Sequence, residues 1–130
     1  MTVHHWTDDE LRRIADSDEL EIASMRSDGT LRRPVTIWVV RVGDDVYVRS
    51  VTGRDASWFR GAQDRHEARV SAGGVTKDVQ LVEAENDSVA INAAYRTKYR
   101  RYAARIIESI IAPRAGAATL MLLPTSAPGA

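Results

Sequence analysis

The feature that most constrains the fold of this chain is the run VTIWVVRVGDDVYVRS at residues 35–50. Its first half is apolar at nearly every position and rich in β-branched residues, which is typical of a strand covered on both faces. A Gly-Asp pair then favours a tight turn. Residues 46–50 alternate between two faces with the period of a half-buried strand. The run therefore predicts an antiparallel hairpin with strands at 35–42 and 45–50.

Shorter periodic segments predict the rest of the fold. Apolar and alternating runs indicate further strands at 20–25, around Val70, at 75–82 and at 118–123. Helical spacing indicates helices that begin after Thr7, after Asp55 and near Ile106, and a longer helix at residues 87–102. About six strands interrupted by short helices favour an α+β fold: a six-stranded antiparallel barrel or strongly curled sheet with the helices packed outside.

Length and composition narrow the class of protein. With 130 residues the chain predicts a single domain at 1–124, followed by a small, uncharged tail at 125–130 that we expect to be disordered. Cysteine is absent, which excludes a disulfide framework, a thiolate nucleophile and a cysteine metal site. The zero net charge does not favour a nucleic-acid partner.

The N-terminal residues predict no secretory signal, and no stretch has the length and apolarity of a membrane span. We therefore expect a cytoplasmic protein without a membrane partner. The histidines lack the spacing of a metal site, so no metal is predicted.

The stretch RSVTGRDASW at residues 49–58 links a strand to a helix and is a candidate anion site. The first N–H groups of such a helix favour a negative charge. Arg49, Ser50 and Arg54 would add donors, and Gly53 would allow close backbone approach. The alternative is an ordinary capped turn, in which the Asp55 carboxylate occupies the helix N–H groups and repels a phosphate.

Lys98 forms a second unusual pattern, because it lies at helical spacing among Tyr95 and Tyr99. A lysine beside tyrosines can hold an anionic ligand or alter the pKa of a phenol. The alternative is a packed stem with the amine in water. Trp38 and Trp58 could stack on a flat ring system or fill the core.

The order of several motifs resembles a known family. A tryptophan-led N-terminal helix, DG before IWVVRVGDDVYVRS, GRDASWFR, AGGV, AYRTKYR and a closing ATLMLLP are similar to the uncharacterised family catalogued as domain of unknown function 2255. That resemblance covers roughly residues 6–124. More distantly, DDVYVRSVTGRDASWFRGA resembles the flavin- and deazaflavin-binding split β-barrels, which include pyridoxamine-phosphate-oxidase-like and deazaflavin-dependent nitroreductase-like proteins.

The wider resemblance implies a six-stranded split barrel, usually a homodimer, that holds the phosphate of its cofactor near a strand-to-helix connection. The cofactor-binding positions that it implies are Arg49, Ser50, Gly53, Arg54, Trp58, Arg33 and Thr36. The first functional hypothesis is an oxidoreductase that uses FMN or a deazaflavin on a small molecule, with Tyr95, Lys98 and Tyr99 contacting substrate. The alternative is a cofactor-free module of the same fold that binds a small ligand or dimerises.

Overall fold

The computed structural model describes residues 5–84 and 88–125. The strands are β1 Leu20–Ser24, β2 Val35–Ile37, β3 Val39–Val42, β4 Asp45–Arg49, β5 Glu67–Ala72, β6 Val75–Glu83 and β7 Thr119–Pro124. The helices are α1 Asp8–Asp16, α2 Ser57–Arg65, α3 Ser88–Lys98, α4 Ala104–Ile111 and α5 Pro113–Gly116, with a 3₁₀ turn at Gly53–Asp55. All strands join one antiparallel sheet in the order β2, β1, β5, β6, β7, β4, β3.

The strand predicted at 35–42 changes its partner at Trp38. Before that residue β2 pairs with β1, and after it β3 pairs with β4, with Val39 opposite Val48. Strands β2 and β3 lie at the two ends of the sheet order although they are consecutive in the chain, so the sheet curls into a nearly closed barrel. The predicted α+β split barrel is confirmed, but it has seven strands rather than six, because the long strand is divided where the partners change.

At this break the backbone forms hydrogen bonds with one side chain of α3 and one side chain of the turn after it. The Tyr99 hydroxyl, one residue past the end of α3, accepts the Val39 N–H at 3.1 Å. The Lys98 amine donates to the Val39 carbonyl oxygen at 2.7 Å. Buried backbone groups that lose a strand partner need another hydrogen bond. The C-terminal end of α3 therefore supplies the polar groups that stabilise the division of the strand.

The apolar side chains form two clusters, one on each face of the sheet. The inner cluster includes Val46 and Val48 of β4, with Leu11 of α1 and Phe59 of α2. The outer cluster contains six buried residues from β3, β4, the helices α3 and α4 and the turn after α3, namely Val40, Tyr47, Ile91, Tyr95, Tyr99 and Ile110. Strand β4 is therefore buried on both faces, and its predicted half-buried character is wrong because α3 and α4 cover the outer face.

The helix after β4 begins differently from the prediction. Residues Gly53–Asp55 form the 3₁₀ turn, and α2 then starts at Ser57 with Ala56 as its N-cap and no side-chain cap. The alternative in which Asp55 caps this helix is therefore wrong, because the intervening turn places its carboxylate before the helix start. The Asp55 side chain is exposed.

Other predicted boundaries shift by a few residues. The capping box that opens α1 is confirmed, since the Thr7 hydroxyl accepts the Glu10 N–H at 3.1 Å. The helix predicted from residue 87 to 102 ends at Lys98 and continues as turns. Its first residue, 87, and residues 126–130 of the predicted tail lie outside the described residues.

Candidate functional site

A cleft of about 390 Å³ lies where the barrel is split. Extending the β3–β4 register past the break would bring Trp38 opposite Arg49 and Ile37 opposite Ser50. Strand β2 instead turns away to β1 and leaves this space open. The cleft is lined by Val35, Thr36, Ile37, Trp38, Arg49, Ser50, Val51, Thr52, Ala56, Trp58, Ile106, Ser109 and Ile110. Its volume is that of a small-molecule site.

Arg49 is the largest fully buried side chain, with 1% of its surface exposed. It projects to the outer face of β4, where its Nε donates to the Thr119 hydroxyl at 2.9 Å. One terminal nitrogen, Nη1, donates to the Asn92 side-chain oxygen and, at 3.1 Å, to the Ile110 carbonyl. The guanidinium also lies 5.5 Å from the Tyr95 ring centroid. These contacts fix the orientation of the side chain.

The positive charge of Arg49 has no anionic partner in the described part of the chain. Its contacts are a hydroxyl, an amide oxygen, a carbonyl and an aromatic ring. Burial lowers the pKa of the guanidinium from its ordinary value, because desolvation disfavours the charged form. Its second terminal nitrogen, Nη2, is buried and makes no hydrogen bond with any residue that the structure describes. A buried guanidinium in this state favours an incoming anion.

Ser50 and the start of α2 add donors to the same cleft. Ser50 is 1% exposed, and its buried hydroxyl has no hydrogen-bond partner among the described residues. Ala56, the uncapped N-terminus of α2, also lines the cleft. The first N–H groups of a helix lack intrahelical partners and attract negative charge. Arg49, Ser50 and the helix start thus form a consistent anion-binding arrangement.

The remaining walls of the cleft are mostly apolar and partly aromatic. Trp38 and Trp58 both line it. Tyr99 covers one face of Trp38, with ring centroids 3.8 Å apart and ring planes 2° from parallel. Val51 and Ile106 at the rim are 50% and 42% exposed. Flat aromatic surfaces beside an anion site suit a ligand that combines a ring system with a charged group.

The predicted cofactor-binding residues divide between the cleft and its surroundings. Arg49, Ser50, Thr36 and Trp58 line the cleft. Gly53, Arg54 and Arg33 are not among its lining residues. A binding role for the residues outside the lining stays a prediction.

Arg54 and Gly53 have other contacts. Arg54 Nη1 donates to a Glu83 carboxylate oxygen at 2.5 Å and to the Ala117 carbonyl at 3.1 Å. Gly53 is buried at φ 86°, and a Cβ there would come within 2.5 Å of Arg114 Cγ. The glycine therefore allows a close approach of α5 to the turn rather than the approach of a ligand to the cleft.

The predicted substrate-binding residues lie behind the cleft. Tyr95 and Tyr99 are fully buried in the outer cluster, and Lys98 lines a different groove. Burial raises the pKa of both phenols above the ordinary tyrosine value. Deprotonated tyrosine at neutral pH is therefore disfavoured at both positions.

Sequence reasoning missed the residues that orient Arg49. Asn92 lies on α3 between apolar positions, and Thr119 opens the apolar strand β7. A polar residue on the buried face of an apolar element often marks a hydrogen-bond partner for a buried group. That signal was present in the sequence, but it does not name the partner. The described residues contain no cluster of three or more acidic or histidine side chains arranged for a metal ion.

Comparison with known families identifies the chain. Residues 10–122 match the model of the family described as "Uncharacterized protein conserved in bacteria (DUF2255)". The chain belongs to this family. The family description states no activity for DUF2255 proteins, and no curated protein has a sequence that matches this one significantly.

The DUF2255 chain also resembles solved split-barrel structures at low sequence identity. A conserved hypothetical protein of Mycobacterium tuberculosis, Rv2991, aligns with a TM-score of 0.63 and 9% identity over 93% of this chain and 81% of its own. An F420 reductase aligns with a TM-score of 0.55 and 13% identity over 88% and 92%. The haem storage protein HutZ of Vibrio cholerae gives 0.56 and 14% over 90% and 87%. At these identities the similarity shows that the DUF2255 chain shares the fold of these structures.

No helix within residues 5–84 and 88–125 is long and apolar enough to cross a bilayer.

Proposed function

We propose that this protein is an oxidoreductase that binds FMN or a deazaflavin in the cleft and acts on a small molecule. The observation that carries the proposal is the pair of buried, unpartnered polar atoms Arg49 Nη2 and Ser50 Oγ at one end of an aromatic cleft. Each such atom costs about 1–3 kcal/mol when left unsatisfied. A bound anion that accepts from both would recover that free energy.

The residues fit the parts of a flavin-type cofactor. Arg49, Ser50 and the N–H groups at the start of α2 would hold its phosphate. Trp38, Trp58 and the aliphatic rim would contact the ring system. When bound, the cofactor would supply hydride transfer, a chemistry that protein side chains do not perform by themselves.

The protein's own contribution is to bind, orient and exclude water. Asn92, Thr119 and the Ile110 carbonyl fix the Arg49 fork, so little side-chain freedom is lost when an anion binds. Tyr99 supports Trp38 from one face. We therefore propose that Tyr99 and Tyr95 position cleft residues rather than contact the substrate.

The similarity to an F420 reductase supports a deazaflavin as one of the two candidates. Haem, which the description of HutZ names, fits the cleft less well. Haem iron needs an axial ligand such as His, Met, Cys or Tyr. None of these residue types is among the described residues that line the cleft.

Fluorescence titration of the purified protein with FMN and with a deazaflavin cofactor tests the proposal. We expect saturable binding of one of them with quenching of its fluorescence by the neighbouring indoles. Ser50→Ala should weaken binding, because it removes a donor whose hydroxyl has no partner within the described structure. Arg60→Ala is the matched control, since Arg60 is exposed on α2 and absent from the cleft lining. Absence of binding for both cofactors would favour the cofactor-free ligand-binding or dimerising alternative.

We further expect a homodimer in which the partner covers the exposed rim at Val51 and Ile106. Light scattering of the protein after size-exclusion chromatography measures the mass directly, and Ile106→Glu should shift a dimer toward monomer. A monomeric wild-type protein would contradict this expectation. A cytoplasmic location remains a prediction, which fractionation of the native cells would test.

A further inference from the structure

A second groove, of about 430 Å³, lies between α1, β3 and α3 and shares no lining residue with the cleft. Its walls are short side chains, chiefly Ala15, Ala90, Ala93 and Thr97. Two cationic residues, Arg41 and Lys98, also line it. The groove therefore combines space for a small molecule with two positive side chains.

The Lys98 amine has an unusual environment for a lysine. It donates to the Val39 carbonyl at 2.7 Å and lies 5.3 Å from the Tyr99 ring centroid. The carboxylates that act on its charge are those of Asp18 and Asp16, and Asp18 already pairs with Arg101. In the described part of the chain Lys98 forms no ion pair of its own. A carbonyl and a ring stabilise an ammonium less than a carboxylate does.

Burial, with a smaller contribution from Arg101, lowers the pKa of Lys98 to about 8 despite the opposing effect of Asp18 and Asp16. A large fraction of the amine is then neutral near that pH and carries a free lone pair. Lysines with depressed pKa values are the ones that form imines with carbonyl compounds.

Lysine is rare in this chain, which makes the position of Lys98 more informative. Only two of the 18 lysines and arginines are lysine, Lys77 and Lys98. Lys77 is 7% exposed and forms an ion pair with Glu10 at 3.2 Å. Arginine stays protonated in proteins and is not a nucleophile at these pH values. Lys98 is thus the lysine whose environment favours reaction.

We propose that Lys98 forms an imine with a small aldehyde or ketone that carries a carboxylate, and that Arg41 holds the carboxylate. The neutral Nζ attacks the carbonyl carbon and a C–N bond forms. The carbonyl oxygen takes up the two amine protons and leaves as water, so the imine forms without a change of oxidation state. The alanine walls of the groove leave room for the short carbon chain of such a compound.

Reductive trapping tests the proposal on the intact protein. The protein is incubated with glyoxylate and cyanoborohydride between pH 6 and 10, and peptide mass spectrometry then locates the carboxymethylated amine. We expect modification at Lys98 in preference to Lys77, with a rate that reaches half its maximum near pH 8. Lys98→Arg keeps a donor for the Val39 carbonyl and should abolish the adduct in a folded protein. Lys77→Arg is the matched control and should leave the adduct unchanged.

Acetaldehyde, which has no carboxylate, separates the role of Arg41 from that of the amine. Arg41→Ala should slow trapping of glyoxylate by about tenfold, the loss of one charged hydrogen bond, and leave trapping of acetaldehyde unchanged. Equal slowing of both aldehydes would overturn the role of Arg41. Equal modification of Lys77 and Lys98, or a Lys98 reaction that begins only near pH 10, would overturn the imine site itself. Cofactor binding in the cleft is not used in any of these measurements.

Discussion

The Tyr99 hydroxyl accepts the backbone N–H of Val39, 60 residues away in the chain, at the point where the barrel changes its strand pairing. The same hydroxyl donates to the Asp18 carbonyl at 2.7 Å. Tyr99→Phe leaves both backbone groups without this partner. We expect a loss of about 1–3 kcal/mol in the free energy of unfolding, measured by urea denaturation.

Tyr95→Phe is the matched control for that change. Tyr95 is equally buried in the outer cluster, but its hydroxyl makes no hydrogen bond within residues 5–84 and 88–125. Removing an unpartnered hydroxyl should change stability by no more than about 0.5 kcal/mol, or increase it. Equal losses for the two variants would contradict the role assigned to the Tyr99 hydroxyl.

Lys98 makes stability depend on pH in a defined direction. Its pKa in the folded protein is about 8, against an ordinary value of 10.5, so between these values the unfolded chain binds more protons than the folded one. Stability should therefore rise with pH across this window through Lys98. Denaturation of wild type and Lys98→Met at several pH values between 7 and 10.5 measures the difference. An unchanged difference across the window would contradict the lowered pKa.

Alanine substitutions at two glycines with positive φ distinguish the cost of backbone strain from the cost of a steric clash. Gly43, at φ 61°, has no atom within 4 Å of the position that a Cβ would occupy, whereas a Cβ on Gly53 would meet Arg114. Gly43→Ala should cost about 1 kcal/mol, from the left-handed backbone alone. Gly53→Ala should cost about 1–3 kcal/mol more, because the Arg114 side chain must also move. Similar losses in thermal or chemical denaturation would argue against the close approach of α5.

Arg54→Ala tests whether Arg54, rather than Arg49, holds the cofactor phosphate at the strand-to-helix connection. Arg54 pairs with Glu83 at the surface, and its hydrogen bond lowers the pKa of that carboxyl. Loss of a surface pair costs about 0–1 kcal/mol, and this contribution should disappear as pH falls and Glu83 is protonated. Cofactor affinity should stay within about twofold of wild type, since Arg49 holds the anion in our proposal. The same fluorescence titration measures this affinity. A loss of tenfold or more, which corresponds to about 1.4 kcal/mol of binding free energy, would show that Arg54 holds the phosphate.

Much of the barrel was predictable because its strands carry strong local patterns. The β-branched run before Gly43 and the alternation after it predict the hairpin correctly. The division at Trp38 was not predictable, because the change of partner depends on β1 and on side chains at the end of α3 that are distant in sequence. Local propensity contains no information about which strand lies alongside.

The sequence indicated the segment that borders the cleft, but not the burial of Arg49 or the start of α2. The strand-to-helix connection at residues 49–58 does lie beside the cleft. The alternation of residues 46–50 could not show that Arg49 is buried. Its burial depends on α3 and α4, which cover the outer face of β4. Asp55 satisfies the local preference for an N-cap, but the 3₁₀ turn overrides it and leaves the start of α2 uncapped.

The phosphate dependence of cofactor affinity tests whether Arg49 holds the phosphate of a cofactor in the cleft. Titration with FMN and with riboflavin, which has the same ring system without the phosphate, is carried out on wild type and on Arg49→Lys, with folding of the variant verified by circular dichroism. A deazaflavin with and without its phosphate gives the corresponding comparison. We expect wild type to bind the phosphorylated form at least about tenfold more tightly, and Arg49→Lys to remove most of this preference. Equal affinity of wild type for both forms would contradict this expectation.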